Sequence, residues 1–203
     1  MISITQESLE LTRKISFTIE EQTFHHHYHI LYDLAREYDG QITYVEIGCY
    51  AGGSACLMLQ RPHTKVISID LGYPINRELV LKNISKTNVL NNSYEYIEGD
   101  SHMSETKNRL NSIPIDILFI DGDHTYKGVK MDFEMYEELV KPGGFIVFDD
   151  YYDNISCPEV KIFVDDLVNN IDGYEVIGTF KNIGAKSTHL VDGNCFVIRK
   201  FKK

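Results

Sequence analysis

Four stretches of the chain are apolar almost throughout and stop at a polar turn: Tyr44-Val45-Glu46-Ile47 before Gly48, Lys65-Val66-Ile67-Ser68-Ile69-Asp70, Ile115 to Asp121, and Phe145 to Asp150. Their length and β-branched content predict strands covered on both faces, the habit of a parallel sheet. Ser93 to Glu98 alternates and predicts a fifth strand. Helical periodicity fills the intervals: Ser54 to Leu59, Asn76 to about Asn88, Tyr126 to about Val140 with Val129, Phe133, Tyr136 and Val140 on one face, and Pro158 to Ile171. Lys141-Pro142-Gly143-Gly144 reads as the stop of the third of these helices. Strand and helix in alternation predict an α/β fold with helices on both faces of the sheet.

The ends of the chain complete that architecture. Phe17, Phe24, Tyr28, Leu31, Leu34 and Ala35 recur at helix-face spacings and stop at Asp39-Gly40, so residues 1–40 are expected to form a helical cap on a domain spanning 41–203. Tyr174 to Phe180 and Cys195 to Phe201 are β-rich, and the loop between them, with Gly184, suits a wide hairpin. The sheet should then have seven strands, mostly parallel and closed by an antiparallel C-terminal pair.

Composition narrows the function class. With 43% hydrophobic and 25% charged residues the chain is an ordinary globule. A formal net charge of -10 argues against a nucleic-acid partner, whose phosphates need clustered Lys and Arg. No apolar run nears the roughly 20 residues of a membrane helix, and Met1-Ile2-Ser3-Ile4-Thr5 lacks a signal pattern, so no membrane partner and a cytoplasmic location are expected. The 4 cysteines, Cys49, Cys56, Cys157 and Cys195, form no C-x-x-C pair and suggest buried thiols.

Strand, glycine turn, helix is the sequence from Tyr44 to Leu59. Glycines let a backbone approach a ligand closely, and the new helix turns its unpaired N–H groups toward it. The motif Glu46-x-Gly48-x-x-x-Gly52 carries an acid where a dinucleotide fingerprint has glycine, which suits an ammonium group better than a pyrophosphate. Asp70 closes the next strand, where a carboxylate can take ribose hydroxyls. Together these resemble motif I and the second-strand acid of class I S-adenosylmethionine-dependent methyltransferases. The resemblance implies a Rossmann-like methyltransferase fold and S-adenosyl-L-methionine as cofactor, with Glu46 and the Gly48 to Gly53 backbone, Tyr50, Gly52 and the helix start at Ser54 included, around its methionine moiety and Asp70 on its ribose. A side chain at Gly48 is expected to exclude the cofactor without unfolding the protein. Asp100 and Ser101, in the turn after the Ser93 to Glu98 strand, match the adenine turn of that family, although either could equally cap a following helix.

Two neighbouring strands end in carboxylates, Asp121 and the pair Asp149-Asp150, and in a parallel sheet both ends open into one crevice. Hard oxygen ligands so placed suit Mg²⁺ or another oxygen-preferring divalent cation, which would offset their repulsion. Asp123 sits where a helix N-cap is needed and is the weaker candidate. The strings Phe119-Ile120-Asp121-Gly122-Asp123-His124-Thr125-Tyr126, Lys141-Pro142-Gly143-Gly144 and Phe148-Asp149-Asp150-Tyr151 resemble the metal-dependent O-methyltransferases typified by macrocin and mycinamicin sugar methyltransferases, and also the cephalosporin-hydroxylase-type group. The run Gly48-x-Tyr50-x-Gly52 is similar to catechol O-methyltransferase. These resemblances imply metal ligation by Asp121, Asp149 and Asp150, with Asp121 bordering the cofactor too. They imply His124 as general base, and a hydroxyl on a small molecule or sugar as acceptor. The chain is short beside the macrolide enzymes, which leaves the acceptor open. A cofactor-binding protein without turnover and a metal-dependent hydrolase remain alternative readings of the same residues, and His124 could instead cap its own loop. The cluster His25-His26-His27-Tyr28-His29 puts His25 and His29 at the i, i+4 spacing of a helical metal pair, with a polar helix face or a lid as the plainer alternative.

Overall fold

The fold is seen in a computed structural model that describes residues 2–20, 26–73, 77–110, 112–181 and 194–201. Seven strands, β1 (Ile42–Ile47), β2 (Thr64–Asp70), β3 (Ser93–Glu98), β4 (Ile115–Ile120), β5 (Val140–Phe148), β6 (Tyr174–Lys181) and β7 (Asn194–Lys200), form one sheet in the order β3-β2-β1-β4-β5-β7-β6. The first five are parallel, and β7 runs antiparallel to both β5 and β6. The seven-stranded, mostly parallel sheet with an antiparallel C-terminal pair is therefore present. Expected positions 182–193, including Gly184, lie outside the described residues, as do Phe24 and His25.

Alternation along each strand sorts the core into two layers. Tyr44, Val66, Phe119, Phe145 and Val147 face one side, where they meet α1 (Gln6–Thr18), α2 (His29–Ala35), α3 (Gly53–Met58) and α4 (Arg77–Thr87). Val45, Ile67, Leu118, Ile146 and Phe148 face the other, against α6 (Tyr126–Tyr136), α7 (Pro158–Asn170) and Leu110, which follows the short α5 (Ser104–Asn108). Helices thus cover both faces, as a parallel sheet requires.

The register places the chemistry. Ile69, Ile47, Ile120 and Phe148 pair side by side across β2, β1, β4 and β5. One residue further on stand Asp70, Gly48, Asp121 and Asp149. Backbone bonds from Gly48 N to Ile69 O (2.8 Å), Asp121 N to Ile47 O (2.8 Å) and Asp149 N to Ile120 O (3.0 Å) carry the ladder one step past the strands. The strand order reverses between β1 and β4, and the crevice outside that switch point is where α/β sheets bind ligands.

Three expectations are corrected. The helix from Tyr126 ends at Tyr136, a 3₁₀ turn follows at Glu137–Leu139, and β5 already begins at Val140. Lys141-Pro142-Gly143-Gly144 is the irregular entry to that strand, marked by a register shift near Ile115. A Cβ on Gly144 would meet Asp116 O and Lys141 O at 2.9 Å, so the glycine answers a close backbone approach rather than a helix stop. Phe17 is 80% exposed, because α1 buries Ser8, Thr12 and Ile15 instead. Thr5 Oγ1 and Ser8 Oγ each donate to the Asp33 carboxylate at 2.7 Å and fix α1 to α2. Finally, neither Asp100 nor Ser101 caps the following helix α5, whose N-cap is Met103, and its five residues with a single buried side chain carry no readable periodicity.

Gly48 has φ +81°, and a Cβ there would lie 2.0 Å from Asp121 O. The turn after β1 and the loop after β4 touch backbone to backbone, so a side chain at Gly48 disturbs the sheet before it reaches any cofactor. Gly48→Ala is expected to destabilise the fold by more than the roughly 1–3 kcal/mol of a left-handed non-glycine residue. Gly173→Ala, at φ +90° in open space, supplies the strain-only control. Urea midpoints that fall equally for the two variants would show that the contact costs nothing.

Candidate active site

A cavity of about 590 Å³ opens along the carboxyl ends of β3, β2, β1, β4 and β5. In sheet order its wall receives Asp100 and Ser101, then Asp70, then Gly48, Tyr50 and Gly53, then Asp121 and His124, and last Asp150. With strands about 4.8 Å apart, the outer members of that row are separated by roughly four strand spacings, or about 19 Å. Nine of the expected site residues thus share one cavity.

Glu46, Gly52, Ser54 and Asp149 are not on its wall. Glu46 is fully buried in the helix-covered layer beneath the glycine turn. Its carboxylate accepts hydrogen bonds from Tyr44 OH (2.8 Å), Ser54 Oγ (2.6 Å) and Ser68 Oγ (2.6 Å). Burial lifts its pKa to about 7, although those three hydroxyls pull it down. Glu46 therefore ties α3 to β1 and β2 and supports the turn from below. Gly52, at φ +82°, caps α3, and its Cβ would crowd Val80 at 3.3 Å.

Asp70 organises the turn from the side. Its Oδ2 accepts from the N–H groups of Cys49 (2.8 Å) and Tyr50 (3.2 Å), and its Oδ1 from Gly72 N (2.8 Å). A carboxylate offers about four lone-pair sites, so a further donor can be accommodated on the cavity side. Tyr50 holds φ +46°, a conformation unusual for a side chain of its size, and stays 43% exposed at the rim. The next turn, after β3, is gripped by α6: Tyr136 OH donates to Ser101 O at 2.9 Å, and His102 Nε2 lies 3.2 Å from the buried Asp132. Asp100 does not cap α5, whose N-cap is Met103; its Oδ1 accepts from His102 N at 2.8 Å.

The other end of the cavity is acidic. His124 Nε2 lies 3.2 Å from Asp121 Oδ1 and 3.6 Å from Asp150 Oδ2. Burial, followed by the charge of Asp149, lifts Asp121 to about 7, with Asp150 adding to the shift and His124 opposing it. Burial works against a charge on His124, yet the hydrogen bond and charge of Asp121, with Asp150 and Asp149 behind them, outweigh it and raise the imidazole to about 9. Asp150 reaches the cavity through a left-handed backbone, φ +53°. Thr125 caps α6, accepting from Gly128 N at 3.0 Å, while Asp123 accepts from Thr125 N at 3.0 Å. Asp123 is thus part of the loop's own bonding.

Asp149 turns to the opposite layer from Phe148, as strand alternation dictates. There its Oδ1 meets His27 Nε2 at 2.5 Å, with both side chains fully buried. The neighbouring Tyr28 donates to Asp121 Oδ2 at 3.5 Å and packs edge-on against Phe119, ring centroids 5.8 Å apart. The 3₁₀ turn His26–Tyr28 therefore inserts two side chains among the strand-end carboxylates. His29 faces Asp33, Nδ1 to Oδ2 3.7 Å, and its expected partner His25 lies outside the described residues.

The oxygens of Asp121 and Asp150 are hard donors that fit an oxygen-preferring divalent cation, and such an ion would take over from the His124 proton in offsetting the carboxylate repulsion that raises Asp121. Asp149, expected as the third ligand, is already partnered by His27. Sequence reasoning missed His27 and Cys157. His27 is 122 residues from its partner, and no local spacing announces it. Cys157, just before α7, donates from Sγ to Asp150 Oδ2 at 3.4 Å and looks in the sequence like any buried thiol.

Solved structures share this architecture. Over 98% of this chain and 92% of theirs, it superposes on the cofactor-bound protein Rv0187 from MTB with a TM-score of 0.69 at 17% identity. An O-methyltransferase from Bacillus cereus, in complex with SAH, aligns over 97% of this chain and 92% of its own, with a TM-score of 0.64 and 18% identity. The O-methyltransferase TomG from Streptomyces achromogenes, in complex with SAM, gives 0.67 and 15% over 99% of this chain and 92% of its own. At these identities the likeness establishes the Rossmann-like methyltransferase fold. Residues 45–151 match the family described as Methyltransferase domain, and the chain belongs to that family. It is also 40% identical over 173 residues to Uncharacterized protein R132 of Acanthamoeba polyphaga mimivirus, covering 79% of this chain and 78% of that one.

Glu46 offers a direct check of the buried support. Its carboxyl is held more protonated in the folded than in the unfolded chain, from an ordinary 4.5 to about 7, so its contribution is present at low pH and lost as pH rises through that window. The Glu46→Gln variant should gain stability on the wild type by about 2 kcal/mol between pH 5 and pH 8, read from urea unfolding at both. A pH-independent difference would mean that the carboxyl titrates normally.

Proposed function

We propose that the chain is an S-adenosylmethionine-dependent O-methyltransferase acting on a hydroxyl of a small molecule or sugar, aided by Mg²⁺ or a similar cation. The observation that carries this reading is the ordered row along the crevice, with hydroxyl-accepting carboxylates at one end, a glycine turn in the middle, and His124 between Asp121 and Asp150 at the other. Membership of a methyltransferase family favours methyl transfer over hydrolysis. The O-methyltransferase neighbours favour oxygen as the acceptor atom.

In this reading Asp70 accepts the ribose hydroxyls, the Asp100-Ser101 turn borders the adenine, and the Gly48 to Gly53 backbone admits the methionine end. Asp121 and Asp150 hold the cation. When bound, it supplies a Lewis acid toward the acceptor hydroxyl and lowers the pKa of nearby imidazole. Tyr28 and the buried His27-Asp149 pair fix the carboxylates from behind. His124 would accept the proton of the acceptor hydroxyl, and the bound sulfonium would supply the methyl group and leave as a neutral thioether. The formal net charge of -10 argues against a nucleic-acid partner, and no described helix is long and apolar enough to cross a membrane. Four buried free cysteines suit a reducing compartment, and we assign the enzyme to the cytoplasm.

Titration calorimetry with S-adenosylmethionine, followed by methyl transfer to a panel of catechols and sugars with Mg²⁺ or with chelator, tests the assignment. Asp121→Asn should abolish Mg²⁺-dependent turnover while cofactor affinity changes little; full turnover in chelator with verified metal removal would reject the cation. Because His124 must be neutral to accept a proton, turnover should rise with pH through its pKa, and the value of about 9 in the protein alone marks the upper end of that limb. His124→Ala is expected to lower kcat by roughly 10²–10⁴ and to erase the limb. A variant that keeps both its rate and its limb would demote His124 to loop structure.

A further inference from the structure

Among the described residues, His124 Nε2, a carboxylate oxygen of Asp150 and Cys157 Sγ lie within 4.8 Å of one another. They come from three separate elements: the loop after β4, the turn after β5 and the residue preceding α7. None of the proposed chemistry uses Cys157. Its thiol points at Asp150 Oδ2 (3.4 Å), the same oxygen that lies 3.6 Å from His124 Nε2, while Asp121 Oδ1 is 3.2 Å from that nitrogen.

These separations have a geometric meaning. Zinc takes nitrogen, oxygen and sulfur at about 2.0–2.3 Å in a tetrahedron, which sets neighbouring ligand atoms roughly 3.3–3.8 Å apart. The Cys157–Asp150 and Asp150–His124 separations of 3.4 and 3.6 Å lie within that range. Mg²⁺ has no use for a thiol or an imidazole, since it demands octahedral oxygen. Zinc, borderline-soft, accepts all three donor types. Asp150 and His124 also line the cavity, which gives an ion a route to the buried sulfur.

We infer that His124, Asp150 and Cys157 form a three-ligand binding site for zinc or a similar thiophilic divalent ion, with the fourth position left to solvent from the cavity. On binding, the sulfur gives up its proton to solvent and the ion takes the place of the proton on His124 Nε2. The ion therefore consumes the group that accepts the substrate proton. Zinc is an inhibitor that competes with the oxygen-preferring cation for Asp150. The inhibitory consequence rests on the proposed methyl transfer, whereas the site itself does not.

Cobalt(II) is the probe, because a cobalt–thiolate bond shows a charge-transfer band in the near ultraviolet that nitrogen and oxygen ligands do not give. The metal-free wild-type protein should develop that band at one equivalent of Co²⁺, and one equivalent of Zn²⁺ should remove it. Cys157→Ser should lose the band, and Cys56→Ser, at a thiol remote from the cluster, should keep it. Losing a ligand's outer partner already costs about 10–100-fold in affinity, so Cys157→Ser should weaken zinc by at least that much in chelator competition. His124→Gln, on a half-exposed loop, should weaken zinc comparably and carries the test should the 157 variant not fold. Absence of the band in the wild type, or its survival in Cys157→Ser, overturns the site. A protein that shows the band yet methylates nothing would keep the site and lose the proposed function. Turnover that continues at saturating zinc would overturn the inhibition.

Discussion

Carboxylates gathered at the ends of adjacent parallel strands repel one another where water barely reaches, and much of this crevice is built to offset that repulsion. The paired row Ile69, Ile47, Ile120 and Phe148 leaves Asp121 and Asp149 side by side one residue further on, with Asp150 following. Like charges at such distances cannot all ionise freely. The protein answers from several directions: His27 against Asp149, Tyr28 against Asp121, and His124 against both Asp121 and Asp150. Each partner reports the local field, Asp121 by a raised carboxyl and His124 by a raised imidazole. A cation arriving there relieves a cost that the sheet imposes by its register.

At the centre of the crevice the constraint is steric. Gly48 is pressed against the backbone of Asp121, so the turn after β1 and the loop after β4 are one packed unit. Asp70 gathers the N–H groups of Cys49 and Tyr50, and Glu46 clamps α3 through Ser54 from below. The acid of the Glu46-x-Gly48 motif is therefore an internal brace. Its proximity to Gly48 in sequence suggests a ligand contact, yet strand alternation sends its side chain into the layer under α3.

That example shows where the sequence is legible. The four apolar stretches ending in Gly48, Asp70, Asp121 and Asp150 announced the parallel sheet and its crevice, because register and period 2 make a strand's terminal residue predictable. The C-terminal pair was equally plain, since the sequence between the two β-rich segments is too irregular for a crossover helix. What spacing could not tell was which face each side chain takes at the strand ends. Asp149 and Asp150 look equivalent as neighbours, but one turns to His27 and the other, through a left-handed backbone, to the cavity. The segment Val140 to Gly144 misled for a different reason. Pro-Gly-Gly is a helix stop by local propensity, and the pairing of Val140 with Ile115 overrides it.

The family match begins at residue 45 and ends at residue 151, and this boundary separates two kinds of information. Inside it lie the glycine turn, Asp70, Asp100, Asp121, His124 and Asp150, the groups that line the crevice from its β3 end to its acidic end. Outside it lie His27, Tyr28 and Cys157, which approach the same carboxylates from the N-terminal cap and from the start of α7. A methyl donor presents the same chemistry to every member of such a family, so its contacts belong to the shared core. An acceptor does not, and the segments that close its end of the cavity are free to differ while the strand-end acids stay where the register puts them. Because Tyr28 both lines the cavity and touches Asp121, a change in the cap alters the space at the acidic end and the field on the carboxylate together. The shape of that end of the cavity and the field on its acids are therefore coupled through one 3₁₀ turn.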